Sequence, residues 1–594
     1  MKRFSLSQLT IAAICASLLA STAYAQVNGT GVSDSSLFDE VIDIPTEPDI
    51  GVFESIGGIA GETTQVNLFA GGRIASNVDV NSGTEVNVFG GNVDFNFDIF
   101  SAAEANVLGG ELQGIRGLAG SQLNISGGTF IGNSFTATEA EVNVTGGNIE
   151  QFFFGSGTTA NISGGHFDFL TAFAGSDVNI SGGSFGIVLG QRVIGESIEG
   201  AVEFIGGEFQ LNGNTITDST FSFSEGDVLT GTLQDGSVFI HGGFDFDPSL
   251  SSVSVTSGNP LPAIDTTPIV VSIPSSAAPS GLRAGQTLTL ENSAFVENFR
   301  AVDATLNVSG EGASGGGRVL EGAEVSGSTV NISGGTVSDD FRGHNNSLIN
   351  ISGGTVSEGF EVRSGSTANI SGGTVGPTQV FSGSTFNLSG GEVERLSARE
   401  GSVVNLIGGS IDDGLFASSG GEVNISGGSL DRLQANSGSI ANISGGIFES
   451  FSLSGSGTIS GGSLGNVDVQ NGGTLNISGG IFGDNFDAPS GSTVNIFATE
   501  FFLNGSPIDA STLGEPFTIF DRGEDVVLSG VFADGTLFDF DLNPNNPFFS
   551  SLDFFDPNST LTITRVVAVP EPGCGLTLAT MSLVLLVRRR RALR

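Results

Sequence analysis

Cysteine, histidine, tryptophan and positive charge are all scarce in this sequence. Its 594 residues include two cysteines, three histidines, one tyrosine and no tryptophan. The cysteines, Cys15 and Cys574, lie near the two ends, which excludes a disulfide framework in the body of the chain. Between residues 26 and 569 there is no lysine, and 13 arginines face 62 acidic residues. Because such a surface repels phosphate backbones, we expect no nucleic-acid partner.

Glycine is the residue present in excess. There are 92 glycines, about twice the usual share, alongside 38% hydrophobic and only 14% charged residues. A disordered polyelectrolyte has more charge and less apolar surface than this. The composition therefore indicates a chain that forms a core.

A six-residue pattern, Val-Asn-Ile-Ser-Gly-Gly with close variants, recurs through the body, mostly at steps of 18 to 20 residues. Such regular steps indicate a repeat architecture. Because asparagine returns at one place in each repeat, we predict a ladder of stacked amides that hydrogen-bond to one another. Asparagine-linked glycosylation is the alternative interpretation of the same pattern. The predicted ladder residues are Asn67, Asn87, Asn106, Asn124, Asn143, Asn161, Asn179, Asn331, Asn350, Asn369, Asn387, Asn405, Asn424, Asn442, Asn476 and Asn495, with Thr458 in one intervening slot.

Apolar and polar residues alternate within each repeat, which is typical of a strand with one buried face. In residues 329–337 we expect Val330 and Ile332 to point inward and Asn331 to point outward. The following diglycine shifts the phase and indicates a corner, because glycine tolerates the backbone angles of a sharp bend. Three short strands and three corners make one coil of a parallel β-solenoid. Neither the leucine framework of leucine-rich repeats nor the glycine period of collagen is present.

The chain is therefore predicted to be all-β, with two parallel β-solenoid arrays of coils ~18–20 residues long, each followed by a β-rich cap. A duplication supports the caps, since residues 208–213 (Glu-Phe-Gln-Leu-Asn-Gly) resemble residues 500–505 (Glu-Phe-Phe-Leu-Asn-Gly). Prolines between the arrays indicate a stiff linker, although residues 269–273 are also compatible with a strand. The predicted segments are a signal peptide (1–25), an acidic leader (26–57), the first solenoid (58–208), the first cap (209–256), the linker (257–284), the second solenoid (285–500), the second cap (501–568) and a sorting tail (569–594).

The two ends of the chain carry targeting signals. A basic start, a short apolar run, and Ala23 and Ala25 before Gln26 are the parts of a secretory signal peptide. At the other end, Pro570-Glu571-Pro572 precedes fifteen mostly apolar residues and a cluster of arginines. Fifteen helical residues span ~22 Å, less than the ~30 Å hydrocarbon core of a bilayer. This segment therefore favours transient membrane contact over a permanent span.

Pro570-Glu571-Pro572, the apolar segment and the arginine cluster together resemble a PEP-CTERM sorting signal of exported bacterial proteins. The resemblance covers about 26 residues at the C-terminal end. It implies export, processing near the motif by an exosortase, and release or anchoring in an extracellular polysaccharide matrix. It implies nothing about the repeats.

Residues with catalytic potential are few and badly placed for catalysis. Asp339-Asp340-Phe341-Arg342-Gly343-His344 superficially resembles elements of polygalacturonase-like enzymes, but those elements come from different coils and are followed by an Arg-x-Lys. His166 and His241 lack charged companions at triad-like or metal-ligand spacing in the sequence, so we expect them to be structural. We expect no enzyme activity and no cofactor, with a polysaccharide lyase or hydrolase as the alternative.

Ligand binding by the body has two weaker indications. Sugar-binding faces commonly use tryptophan and tyrosine, whereas we expect the phenylalanines here, such as Phe130 and Phe448, to be mostly core. Polar ladders remain able to bind a polymer weakly. Acidic pairs are hard donors suited to calcium, but no calcium-loop repeat accompanies them. These pairs are Asp412 with Asp413, Asp245 with Asp247, and Asp539 with Asp541.

Taken together, the sequence predicts an exported, non-enzymatic structural or adhesive protein of the cell surface or extracellular matrix. Its expected partners are the export machinery, an exosortase-like enzyme and extracellular polysaccharide. A calcium-dependent adhesin is a further alternative.

Overall fold

The computed structural model confirms the predicted fold class: it is an all-β parallel β-solenoid of about 21 coils. No helix occurs among the residues that the structure describes, so none of them forms a helix able to cross a membrane. The chain divides into two compact units, the first comprising Met1–Thr267, Pro279–Gln286 and Arg300–Ala304, and the second Pro268–Ala278, Thr287–Phe299 and Thr305–Arg594. The described residues are 40–44, 55–58, 62–132, 135–191, 200–219, 221, 224, 226–242, 251–272, 278–310, 316–508, 512–545 and 553–567.

The first unit is built from short strands at its start and longer strands toward its end. Its strands are β1 (Glu40–Ile44), β2 (Ser55–Ile56), β3 (Thr64–Leu68), β4 (Arg73–Ile74), β5 (Val78–Val80), β6 (Thr84–Val88), β7 (Asn92–Val93), β8 (Phe97–Ile99), β9 (Glu104–Val107), β10 (Glu111–Leu112), β11 (Ile115–Gly117), β12 (Gln122–Phe130), β13 (Phe135–Ala137), β14 (Glu141–Phe154), β15 (Thr159–Phe173), β16 (Asp177–Gln191), β17 (Gly200–Leu211), β18 (Asn214–Thr215), β19 (Val228–Leu233), β20 (Val238–Gly242), β21 (Ser251–Ser257), β23 (Gly281–Leu282) and β26 (Arg300–Val302).

The second unit repeats the same design over more coils. Its strands are β22 (Ile269–Val271), β24 (Thr287–Leu290), β25 (Phe295–Val296), β27 (Thr305–Val308), β28 (Arg318–Val319), β29 (Glu324–Ser326), β30 (Thr329–Val337), β31 (Arg342–His344), β32 (Leu348–Val356), β33 (Phe360–Val362), β34 (Thr367–Val375), β35 (Thr378–Val380), β36 (Thr385–Val393), β37 (Leu396–Ala398), β38 (Val403–Leu406), β39 (Ser410–Ile411), β40 (Leu415–Ala417), β41 (Glu422–Ile425), β42 (Ser429–Ala435), β43 (Ile440–Ile443), β44 (Ile447–Leu453), β45 (Ser456–Val469), β46 (Thr474–Ala488), β47 (Thr493–Leu503), β48 (Ser506–Pro507), β49 (Pro516–Thr518), β50 (Val527–Phe532), β51 (Leu537–Asp541), β52 (Phe554–Phe555) and β53 (Thr560–Arg565). Residues 269–271, which the sequence left open, thus form a strand, and β22 pairs in parallel with β24.

A coil of the second unit shows how the alternating pattern becomes a layer. In the coil of β38, β39 and β40, Val404 and Leu406 are fully buried, whereas Asn405 between them lies on the outer side of the strand. Strand β38 pairs in parallel with β41 of the next coil, and Asn405 stands opposite Asn424. Coils therefore stack in register at ~4.8 Å, and apolar residues that one coil cannot bury alone become a continuous core.

The diglycine corner needs both of its glycines, for different reasons. At Gly372, a Cβ atom would lie 2.6 Å from the carbonyl oxygen of Ser352 in the preceding coil, so a side chain would push the coils apart. Gly373 has a φ of +85°, which L-residues rarely adopt. The corner therefore turns sharply and also lets consecutive backbones approach closely.

Each unit ends in the same arrangement of strands. In the first, β17 pairs antiparallel with β19 of the hairpin β19–β20 and in parallel with β21. In the second, β47 pairs antiparallel with β50 of the hairpin β50–β51 and in parallel with β53. The duplicated sequence motif thus corresponds to a duplicated topology, in which a hairpin covers the last coil.

Candidate functional site

The asparagine strand of each coil forms the most regular polar surface of the protein. In the second unit, the Nδ2 atom of each ladder asparagine except Asn476 donates to the Oδ1 atom of the asparagine one coil earlier, at 2.8–3.1 Å. Asn476 stands opposite Thr458, which interrupts the row of amides between Asn442 and Asn476. The donor and acceptor pairs are Asn350 to Asn331, Asn369 to Asn350, Asn387 to Asn369, Asn405 to Asn387, Asn424 to Asn405, Asn442 to Asn424, and Asn495 to Asn476.

The first unit contains a second such ladder. The corresponding distances are 2.9–3.2 Å, for the pairs Asn87 to Asn67, Asn106 to Asn87, Asn124 to Asn106, Asn143 to Asn124, Asn161 to Asn143, and Asn179 to Asn161. All sixteen predicted ladder residues therefore take part in amide-to-amide hydrogen bonds. Each ladder is one surface that repeats the same chemistry once per coil.

The structure extends both ladders to residues that sequence reasoning missed. Asn67 donates to Asp43 at 2.8 Å, and Asn331 donates to Asn307 at 2.9 Å. Both steps are 24 residues long instead of 18 to 20, so each of these coils contains additional residues. Leu306-Asn307-Val308 keeps the alternation of the repeat and was the available signal.

The residue two positions after the ladder asparagine differs among the coils. It is threonine in the coil of Thr145, and it is apolar in the separate coils of Ile407 and Phe497 and in one run of three coils. In most coils this position, the serine slot, is serine, and its Oγ contacts a carbonyl oxygen of the preceding coil, as Ser389 does with Ile370 at 3.1 Å. In three consecutive coils of the first unit the slot holds Phe69, Phe89 and Leu108 instead. These three side chains stand on the outside of the solenoid.

The three apolar residues border a groove of about 380 Å³, which we call the aromatic groove. It runs beside the ladder and is lined by Phe69, Glu85, Phe89, Asn106, Leu108 and Asn124, among others. The rings of Phe69 and Phe89 stack with their centroids 5.3 Å apart and an interplanar angle of 10°. The expectation that phenylalanines serve the core holds for Phe130 and Phe448, but Phe69 is 43% exposed.

Carboxylates flank the ladder on the side opposite the aromatic rings. The Nδ2 atom of Asn87 donates to Glu85 Oε1 at 2.7 Å, and that of Asn124 donates to Glu104 Oε1 at 2.8 Å. The amide hydrogens of these rungs are thus used within the protein. The oxygens of the carboxylates and amides keep spare lone pairs.

The acidic motif at residues 339–344 forms ion pairs across neighbouring coils. Arg342 donates to Glu361 at 3.1 Å and to Glu324 at 3.3 Å, and Arg363 also donates to Glu361, at 2.6 Å. His344 lies 3.4 Å from Glu324. Arginine thus binds Glu324 and Glu361, and these side chains form a charged ladder between neighbouring coils.

The expectation that His166 lacks companions is wrong. His166 Nδ1 lies 2.8 Å from Ser184 Oγ and Nε2 lies 2.9 Å from Asp168 Oδ1, because parallel pairing places Ser184 directly opposite His166. Nucleophilic catalysis also needs donors for an oxyanion. The backbone N–H of Gly183, next to Ser184, already donates to Asp235 Oδ2 at 2.9 Å.

The other histidine singled out in the sequence is part of the core of the first unit. His241 is fully buried, with its ring centroid 5.7 Å from that of Phe204 and 5.6 Å from that of Phe239. This packing makes it a structural residue of the hairpin β19–β20.

Within the described part of the chain, no group of three or more histidine, cysteine, aspartate or glutamate residues is arranged to hold a metal ion. Asp413 forms an ion pair with Arg395 at 2.6 Å, and Asp539 and Asp541 lie on β51. Asp245 and Asp247 fall outside the described residues, as do the processing residues Ala23, Ala25, Gln26, Pro570, Glu571 and Pro572.

Comparison with protein-family models, curated proteins and solved structures finds no match for this chain.

Proposed function

We propose that this protein is an exported, non-enzymatic structural or adhesive component of the cell surface or extracellular matrix, sorted through its C-terminal PEP tail. The observation that carries this proposal is the repeated asparagine surface, which presents the same chemistry in coil after coil of both units. Solenoids use such repeated surfaces to contact long partners. A signal peptide and a sorting tail are the targeting signals that this role requires.

The ion pairs and hydrogen bonds of the polar side chains support a structural role over catalysis. Glu324 and Glu361 bind Arg342, and Asp413 binds Arg395. The ladder amides bind one another. A hydrolase needs carboxyl groups that are free to exchange protons with a substrate, so these arrangements favour a surface that holds its shape.

The intact mass of the protein recovered from the producing cells tests the proposed processing and localisation. A chain that begins at Gln26, ends near Pro570 and is found in the extracellular fraction is the expected result. A variant with alanine at Pro570, Glu571 and Pro572 should keep its tail and stay with the cells. Recovery of the unprocessed wild-type chain from the cytoplasm would overturn the proposal.

Activity assays test the enzymatic alternative. The purified protein, incubated with neutral and acidic polysaccharides, is expected to release no oligosaccharides. Steady release that a Ser184→Ala or Glu361→Gln variant abolishes would replace the structural proposal with a polysaccharide-processing enzyme.

A further inference from the structure

The aromatic groove is built from residues that the fold itself does not require at those positions. Most other coils place serine there, and that serine contacts the preceding coil, as in Ser126 with Val107 and Ser389 with Ile370. Apolar residues at this slot elsewhere, Ile407 and Phe497, occur singly, whereas the groove has three in consecutive coils. Phe69 and Leu108 are instead 43% and 48% exposed. Apolar side chains held in solvent beside a polar ladder indicate a surface that meets a ligand.

The two sides of the groove offer different chemistry. One side presents the stacked rings of Phe69 and Phe89 and the side chain of Leu108. The other presents the oxygens of Glu85 and of Asn106 and Asn124, which are half-buried. Asn67 and Asn87 also line the groove, but at 2% and 8% exposure they offer a ligand little surface.

From this arrangement we infer that the aromatic groove binds a neutral polysaccharide, with pyranose rings packed on Phe69 and Phe89 and sugar hydroxyls donating to Glu85 and the ladder oxygens. The inference deepens the proposed function and rests on it. Pyranose rings have an apolar C–H face that packs on aromatic rings, and hydroxyls are donors that suit an acceptor-rich wall.

Charge selects neutral chains over acidic ones. The charged side chains that line the groove, Asp43 and Glu85, are both acidic, and the whole chain carries a formal charge of −43. A polysaccharide with carboxylate or sulfate groups would meet repulsion from these side chains, and none of the described residues that line the groove is a cation that would offset it. The coil repeat of ~4.8 Å is comparable to the length of one sugar unit, so successive coils can address successive sugars.

Affinity electrophoresis of the full-length chain tests the inference. The protein is run through gels that contain a neutral polysaccharide (a β-glucan, a galactomannan or dextran) or an acidic one (alginate or polygalacturonate). We expect retardation by at least one neutral polymer and none by the acidic ones. The double variant F69S/F89S, which installs the residue that other coils carry, should weaken the affinity about tenfold.

Phe95 provides the matched control. It is 49% exposed in the same unit but does not line the groove, so F95S should bind as the wild type does. Circular dichroism and the melting temperature of each variant establish that the fold is retained. If F69S/F89S does not fold, two other variants are tested in its place: the single variant F89S, and E85Q, which keeps the size of the side chain and removes its charge.

Three results would overturn the inference: no retardation by any neutral polymer, equal loss of binding in F95S, or a change in F69S/F89S confined to its oligomeric state in light scattering. None of these bears on the proposed function, which the mass and location of the native protein decide. A protein that is processed and extracellular yet binds no neutral polysaccharide would refute only the groove. An unprocessed cytoplasmic protein would refute the proposed function whatever the gels show.

Discussion

The ends of the two solenoids have the same strand topology, but different side chains pack there. Each last coil is covered by a hairpin, and each hairpin turn holds an aspartate against a diglycine corner: Asp235 accepts from Gly183 N–H at 2.9 Å, and Asp534 lies beside Gly479. Where the first solenoid meets its cap, Arg283 binds Glu208 at 2.8 Å, and His241 of the cap packs on phenylalanine rings. Where the second solenoid meets its cap there are instead a phenylalanine cluster and desolvated carboxyl groups, with Phe486 and Asp487 on β46 of the solenoid and Asp553 in the cap.

The carboxyl groups at the two solenoid ends respond to pH in opposite directions. The Arg283 guanidinium holds the pKa of Glu208 below its usual value. Burial raises the pKa of both Asp487 and Asp553 to about 6. One solenoid end is therefore stabilised by an ion pair, whereas the other contains carboxyl groups that have lost part of their hydration. The same strand topology thus occurs with different polar interactions.

The largest expected effect comes from the phenylalanine cluster at the end of the second solenoid. Phe486 is 1% exposed and lies 4.9 Å from Phe540 and 5.4 Å from Phe555 between ring centroids. The variant F486A should lower the free energy of unfolding of the second unit by about 3–5 kcal/mol. Hydrogen exchange of β50 amides should accelerate, while β19 amides of the first unit are unchanged.

Phe520 supplies the control for this comparison, because it lies in the same unit at 85% exposure. F520A should stay within about 0.5 kcal/mol of the wild type. Equal acceleration of exchange in β19 and β50 by F486A would show that the two caps do not unfold separately.

The next effect tests the ion pair at the end of the first solenoid. R283M removes the hydrogen bonds to Glu208 and one to the Pro262 carbonyl, and should destabilise the first unit by about 2 kcal/mol at pH 7. Because the folded pKa of Glu208 is lowered, the stability from this pair is complete above the unfolded value of 4.5 and is lost as pH falls through the folded pKa.

Urea unfolding followed from pH 7 down to pH 3 checks this direction. The difference between wild type and R283M should shrink on acidification. R395M, which breaks the exposed pair with Asp413, should cost no more than about 0.5 kcal/mol. A difference that grows as pH falls would contradict the assignment of the pair.

The smallest effect tests the desolvated acids at the end of the second solenoid. Asp553 accepts from the backbone N–H of Phe486 and of Asp541, yet desolvation raises its pKa from 3.8 to about 6. A raised carboxyl pKa means that the folded state holds the proton more tightly, so this contribution is most favourable below pH 4 and is lost as pH rises through 6. For Asp553, which is 8% exposed, we expect a loss of about 1–2 kcal/mol.

The variant D487N/D553N should flatten the pH dependence of unfolding of the second unit between pH 4 and pH 7. E515Q, at an exposed position of the same unit, should leave that dependence as it is in the wild type. If the wild-type second unit instead gains stability across this range, the two carboxyl groups do not titrate as the burial indicates.

Much of the fold was predictable because its rules are local. Period-two alternation correctly predicted that Val330 and Ile332 point inward and Asn331 points outward. The diglycine predicted the corner. Phe69 was available by the same rule, since the second residue after an outward asparagine also points outward. The prediction that the phenylalanines are mostly core holds for Phe130 and Phe448 but did not single out Phe69 as exposed.

The partners across coils were harder to predict because they depend on register. Ser184 lies opposite His166 only because the two coils pair in parallel with an 18-residue step, and Glu361 meets Arg342 across a 19-residue step. Asp43 and Asn307 joined the ladders across longer steps that break the spacing. A sequence period predicts that coils stack, but insertions decide which side chains meet.

By itself, the sequence determined the period of the coils, the inward and outward faces of their strands and the identity of most ladder residues. These properties depend on hydrophobic alternation and on the backbone freedom of glycine, which act over a few neighbouring residues. Only the tertiary structure decided which polar groups are committed to ion pairs, which phenylalanines remain in solvent and which carboxyl groups lose their water. Those outcomes depend on stacking and burial, because atoms 18 or more residues apart become neighbours only when the coils close.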